Sequence, residues 1–121
     1  MLGRREWFFP DAELPPRGTG EELFGHESFI VLNPNREAAE VRLTLFFTDR
    51  PPAELDPFTV EGERVRCVRA VEGEEILGRT LVQGEQYAVR LSASVPVVAQ
   101  YGRLDMRSGS MAFYTTPGYA E

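Results

Sequence analysis

Lysine is absent from this chain of 121 residues, cysteine, histidine and tryptophan occur once each, and no apolar run approaches the roughly 20 residues of a membrane span. Each scarcity removes a class of chemistry. Without lysine there is no Schiff-base catalysis. Cys67 alone can build neither an intrachain disulfide framework nor a thiolate metal cluster, and it fits a reducing compartment. A zinc site would have to be assembled around His26 from Glu27 and Asp105, too few converging ligands for a metal to be expected. Gly-x-Ser-x-Gly elbows, phosphate-cradling loops and dinucleotide fingerprints are missing as well, so no cofactor is expected. Acid–base work by His26 with Glu27 or Asp105 would lack a nucleophile, and no catalytic residue is assigned. The start, Met1 to Glu6, is positively charged but no apolar stretch follows it, unlike a signal peptide. A soluble, cytoplasmic, non-enzymatic protein is the expectation.

Acidic residues outnumber basic ones, 19 to 13, for a formal charge of −6. Nucleic acids and anionic membranes require a cationic footprint, so neither is expected as a partner. The basic side chains are all arginine, whose planar fork suits oxygen-rich groups. Arg64, Arg66 and Arg69 form a local positive run, read as a solvated strand face.

What the chain does contain is short strands. Trp7-Phe8-Phe9 opens the series, and a Pro/Gly-rich loop from Pro10 to Gly20 leads to Ser28–Leu32. Val41, Leu43, Leu45 and Phe47 alternate with Arg42, Thr44 and Phe46, the two-residue period of a half-buried strand. Phe58–Val60 and Arg64–Val71 flank an acidic turn, Gln86–Ala93 alternates again, and Val95–Asp105 and Met111–Thr115 close the set across Ser108-Gly109-Ser110. One helical turn is expected around Glu74–Leu81. Seven or eight strands punctuated by turns predict an antiparallel β-sandwich or barrel, all-β, in one domain spanning residues 1–121. Phe46 and Val68 on otherwise polar faces point to subunit contact.

Three polar residues stand inside the last long apolar run, Gln100, Arg103 and Asp105. Burying such groups costs several kcal/mol unless each finds a partner, so they mark either a structural network or a site. Arg103 and Asp105 share one strand face. Trp7 can fill the core or stack on the apolar face of a sugar.

Taken in order, Trp7 with Leu14-Pro15-Pro16, Gly25-His26-Glu27 leading into Ile30-Val31-Leu32-Asn33, Leu45–Asp49, and Val95–Asp105 resemble the sensory rhodopsin transducer family. The resemblance implies an antiparallel β-sandwich assembling as a homo-oligomer, a tetramer. It implies a role without covalent catalysis: either docking on a membrane receptor, a seven-helix photoreceptor, or binding a small polar, sugar-like ligand. The positions it marks are Trp7, His26, Glu27, Asn33, Gln100, Arg103 and Asp105, expected to converge on one pocket. Tyr101-Gly102 and the run Phe46 to Asp49 depart from the family pattern.

Overall fold

A computed structural model describes residues 2–107 and 110–121. Eleven strands follow in chain order: β1 Arg4–Glu13, β2 His26–Asn33, β3 Ala39–Phe47, β4 Ala53–Glu54, β5 Phe58–Val60, β6 Arg64–Ala70, β7 Glu75–Ile76, β8 Arg79–Thr80, β9 Gln86–Asp105, β10 Ala112–Thr116 and β11 Tyr119–Ala120. Every ladder is antiparallel. The all-β antiparallel fold is the one the strand spacing predicts.

One strand organises the rest. The 20 residues of β9 pair first with β3, up to Ala93 opposite Val41, and with β1, up to Val97 opposite Arg4, and then with β2 and β10, from Val98 opposite Leu32. A first sheet, β11-β1-β9-β3 with β4 and β5 on the far edge of β3, therefore shares its central strand with a second, β10-β9-β2-β6. Gln86–Ala93 and Val95–Asp105 form one continuous strand rather than two, because the break in pattern at Ser94 is a corner and not a turn. Pro96 sits within that corner, where its missing N–H removes no bond from the β2 or β3 ladders.

The corner's carbonyls are taken by side chains. Asn35 Nδ2 donates to Pro96 O at 2.7 Å and Trp7 Nε1 donates to Val97 O at 3.1 Å. Asn33, fully buried, accepts from Asn35 N at 3.0 Å and donates to Glu37 O at 2.8 Å and Val60 O at 3.1 Å, which fixes the turn beside Asn35. Trp7 and Asn33 thus serve the frame. Trp7→Phe, which keeps a ring and removes the N–H, is expected to cost roughly 1–3 kcal/mol in urea unfolding by orphaning a buried carbonyl. A loss near zero would free the indole for a ligand-stacking role.

Strict alternation along β9 builds the core. Tyr87, Val89, Leu91, Ala93, Val95, Val97, Ala99 and Tyr101 are buried, and they pack against Phe29, Val31, Val41, Leu43 and Leu45. Each fully buried side chain of this size contributes roughly 1.5–3 kcal/mol.

Two local expectations change. Glu74–Leu81 is a hairpin, β7 to β8, and not a helical turn: Leu77 (φ 46°) and Gly78 (φ 83°) form the left-handed pair that a two-residue hairpin loop demands. Val68 packs against the core while its neighbours Val65 and Cys67 are exposed, so the outward apolar residues of β6 are those two. Ser108 and Gly109 of the turn expected at Ser108-Gly109-Ser110 lie outside the described residues. No helix among the described residues is long and apolar enough to cross a membrane.

Candidate functional site

A carboxylate stands where the alternation of β2 calls for an apolar residue. Glu27, Phe29, Val31 and Asn33 face inward, and Glu27 is 0% exposed. Its two oxygens each accept one phenol, Oε1 from Tyr87 OH and Oε2 from Tyr101 OH. These tyrosines come from opposite arms of β9, so the corner at Pro96 is what brings both hydroxyls to one carboxyl group. Burial pushes the Glu27 pKa above its ordinary value despite the two tyrosine bonds, the Arg103 charge and the Glu13 backbone, which favour ionisation. Burial, then the neighbouring Glu27 charge, also raises both tyrosines.

Arg103 pairs with Glu27 in register, yet its guanidinium is turned toward Tyr114. Nη1 donates to Glu13 O at 3.4 Å, and the guanidinium carbon lies 4.9 Å from the centre of the Tyr114 ring. Among the described residues Arg103 makes no ion pair within 4.0 Å. Burial opposes its charge, but Tyr101, Tyr114, Asp11 and Glu13 outweigh that and raise its pKa. Asp105 is committed elsewhere: its carboxylate accepts Arg107 N at 2.9 Å and Arg107 Nε at 2.8 Å. Burial works against its ionisation, and the Arg107 contacts, with a smaller contribution from Arg103, prevail to lower its pKa.

Beside Arg103 the two sheets part. A cleft of about 240 Å³ opens between β1 and β10, lined by Phe9, Pro10, Asp11, Tyr114, Thr116 and Gly118. The register of β1 against β9 slips between Phe9 and Ala12, a bulge at Pro10-Asp11 that places Asp11 at the cleft. Gly118 (φ 69°) is required here, since a Cβ would lie 2.6 Å from the Phe9 ring. Behind the cleft Tyr101 packs on Phe9 and Tyr114, ring centres 6.1 and 6.2 Å apart, and so joins it to the Glu27 cluster. Wider hollows, about 430 Å³ beside β5 and β6 and about 440 Å³ beside the loop at Pro16–Gly20, are more open and touch none of the Glu27 cluster. A carboxylate, hydroxyls and an aromatic face in one small cleft, with the Arg103 guanidinium against Tyr114, suit a polyhydroxylated molecule.

The seven residues marked in the sequence divide into three groups. Glu27, Arg103 and Asp105 gather at the far end of β9. Trp7 and Asn33 lie at its corner. His26 and Gln100 occupy the outer face of the second sheet, where His26 Nδ1 is 2.9 Å from Phe24 O. Pleat parity separates them: His26 pairs with Leu104 and Glu27 with Arg103, so His26 and Arg103 stand on opposite faces. Asp11, Tyr114 and Thr116 were not singled out, nor were the two tyrosines that hold Glu27. Pro10-Asp11 inside an aromatic strand was the available signal, a bulge in place of the start of a loop.

Among the described residues no group of three or more His, Cys, Asp and Glu is placed to hold a metal. A family model described as Anabaena sensory rhodopsin transducer matches residues 2–120. The crystal structure of Thermotoga maritima 1070 is similar at a TM-score of 0.87 and 30% identity, over 100% of this chain and 97% of that one. The Anabaena sensory rhodopsin transducer itself is similar at a TM-score of 0.70 and 26% identity, over 83% of this chain and 94% of that one. A search of curated proteins finds no match.

Proposed function

This chain belongs to the Anabaena sensory rhodopsin transducer family, and from that premise we propose that it is a non-catalytic sensory module that binds a small polar, sugar-like ligand. The ligand site is the cleft between β1 and β10, and the observation that carries this reading is that Asp11 and Tyr114 line it while the Arg103 guanidinium lies 4.9 Å from the centre of the Tyr114 ring. Arg103 and Asp11 supply donors and acceptors for vicinal hydroxyls, and Tyr114 supplies a stacking face. The Glu27 cluster is the rigid wall behind them. His26 and Gln100, on the outer face, have no part in this pocket.

The test is a thermal-shift screen against sugars, sugar acids and nucleotides, with Asp11→Ala, Arg103→Ala and His26→Ala run beside the parent chain. A ligand at a hundred times its Kd should raise the melting temperature on the order of 10 °C. The rise should vanish in the Asp11 and Arg103 variants and persist in the His26 variant. A rise that survives both cleft substitutions would move the site elsewhere.

A second reading takes the module as a cytoplasmic transducer docking, as a homo-oligomer and specifically a tetramer, on a membrane photoreceptor or another protein. It is favoured by the family and by an apolar outer face on the second sheet, which a pocket does not need. Capture by a purified receptor that is indifferent to Asp11→Ala and Arg103→Ala would select this reading over the first.

A further inference from the structure

Eleven of the thirteen arginines are exposed, and Arg17 and Arg103 are the two that are half-buried. Arg17 lies on the loop after β1 and lines a separate hollow, whereas Arg103 packs against Tyr114, a wall of the cleft between β1 and β10. Water satisfies an exposed guanidinium, but half-burial strips part of that hydration and calls for an anion in return. Among the described residues no carboxylate reaches Arg103 within 4.0 Å. The acids nearby are already engaged. Glu27 holds the two phenols, and Asp105 and Glu13 both bind Arg107, each at 2.8 Å. Asp11 is left, lining the cleft with a 3.4 Å bond from Gln86 Nε2 and, among the described residues, no ion pair. A cation and a carboxylate thus stand at one cleft, too far apart to neutralise each other.

We propose that this pair selects a sugar acid, a polyhydroxylated molecule carrying one carboxylate, over its neutral counterpart, with Arg103 as the selecting residue. The inference rests on the ligand-binding reading above and names the class of ligand. A carboxylate can take the guanidinium fork through two parallel N–H bonds, while hydroxyls of the same molecule donate to Asp11. A neutral sugar satisfies Asp11 and leaves Arg103 without an anion. An amino sugar pairs with Asp11 but sets a second cation beside Arg103. A sugar phosphate brings about −1.5 to −2 charges, more than one guanidinium can answer with Asp11 alongside. The cleft of about 240 Å³ lies just below the roughly 300–1,000 Å³ of pockets for drug-sized ligands, which sets the size at one sugar ring.

Matched pairs make the test: isothermal titration at neutral pH and low salt of glucose against glucuronate, galactose against galacturonate and mannose against mannuronate, with glucosamine and glucose-6-phosphate as charge controls. In at least one pair the acid should bind at least tenfold more tightly than the neutral sugar, and both charge controls should bind more weakly than that acid. Arg103→Gln should bring the two members of the pair to equal affinity. Arg103→Lys, which keeps the charge and loses the fork, should retain part of the preference. Asp11→Asn keeps an acceptor and removes the like charge, so the ratio of acid to neutral affinity should widen. Equal affinity within every pair, or a preference that survives in folded Arg103→Gln, would overturn the assignment and leave the ligand-binding reading standing. Tighter binding of glucose-6-phosphate than of any acid would overturn the carboxylate. If no sugar binds, neutral or acidic, the ligand-binding reading and this one fall together. Should Arg103→Gln fail to fold by circular dichroism, Asp11→Asn decides: a wider ratio upholds the choice by charge, and an unchanged one overturns it.

Discussion

Glu27→Ala is expected to lower the unfolding free energy by roughly 3–5 kcal/mol, more than any other single change at the site. The loss comes mainly from what is left behind. The hydroxyls of Tyr87 and Tyr101 both donate to Glu27 within the apolar interior, and among the described residues no buried side-chain polar atom is without a partner. Deleting the carboxyl orphans two donors at about 1–3 kcal/mol each, and the vacated space adds a cavity term. Tyr87→Phe or Tyr101→Phe alone should cost less, since Glu27 retains one phenol. Removing every partner at once is different again. Glu27→Leu combined with both Tyr→Phe changes leaves a uniformly apolar interior, and most of the lost stability should return. Denaturant unfolding of the single, double and triple variants reads this coupling directly. Losses that simply add would mean that the three side chains do not act as a unit.

The parts of this molecule legible in the sequence are those set by a period of two. Val41, Leu43 and Leu45 announce β3, and Tyr87, Val89 and Leu91 announce the first arm of β9, because an antiparallel sheet with one wet face must alternate. Gln100, Arg103 and Asp105 were legible as polar groups that need a reason; the last two lie with Glu27 at one end of β9, and Gln100 faces outward. What the period cannot carry is which face a residue takes after a corner or bulge. Ser94 reads as a break between strands, although β9 runs through it and Asn35 and Trp7 hold the carbonyls of Pro96 and Val97 just beyond. Pro10-Asp11 reads as the start of a loop, although one extra residue in the β1 ladder is enough to bring Asp11 to the cleft. His26 and Arg103 look like natural partners in the sequence and are parted by pleat parity alone. The family resemblance marks residues that hold the frame, such as Asn33, together with Glu27 and Arg103 beside the cleft, and only the fold sorts one from the other.

The Glu27 cluster also makes stability depend on pH in a definite direction. Burial, opposed by the tyrosine bonds and the Arg103 charge, raises the folded-state pKa of Glu27 above the ordinary value of 4.5. The folded protein then binds this proton more tightly than the unfolded chain. The stability that proton binding confers is fully present below 4.5 and is lost as pH rises through the folded pKa. Asp105 acts oppositely: its pKa lies below the ordinary 3.8, so its contribution is present above that value and is lost as pH falls through the folded one. The two windows lie on opposite sides of pH 4, and Glu27→Gln removes only the upper one. Relative to the parent chain, the Gln variant is expected to grow more stable as pH rises above 4.5 and then to hold a constant difference. Denaturant unfolding at intervals from acid to neutral pH measures that difference. A flat difference would mean that Glu27 titrates alike in both states. Arg103 supplies the check on cause, as the cation that favours the ionised carboxylate. In Arg103→Ala the infrared carbonyl band of the protonated carboxyl should persist to higher pH than in the parent chain, and an unmoved band would show that Arg103, turned toward Tyr114, exerts no field on Glu27.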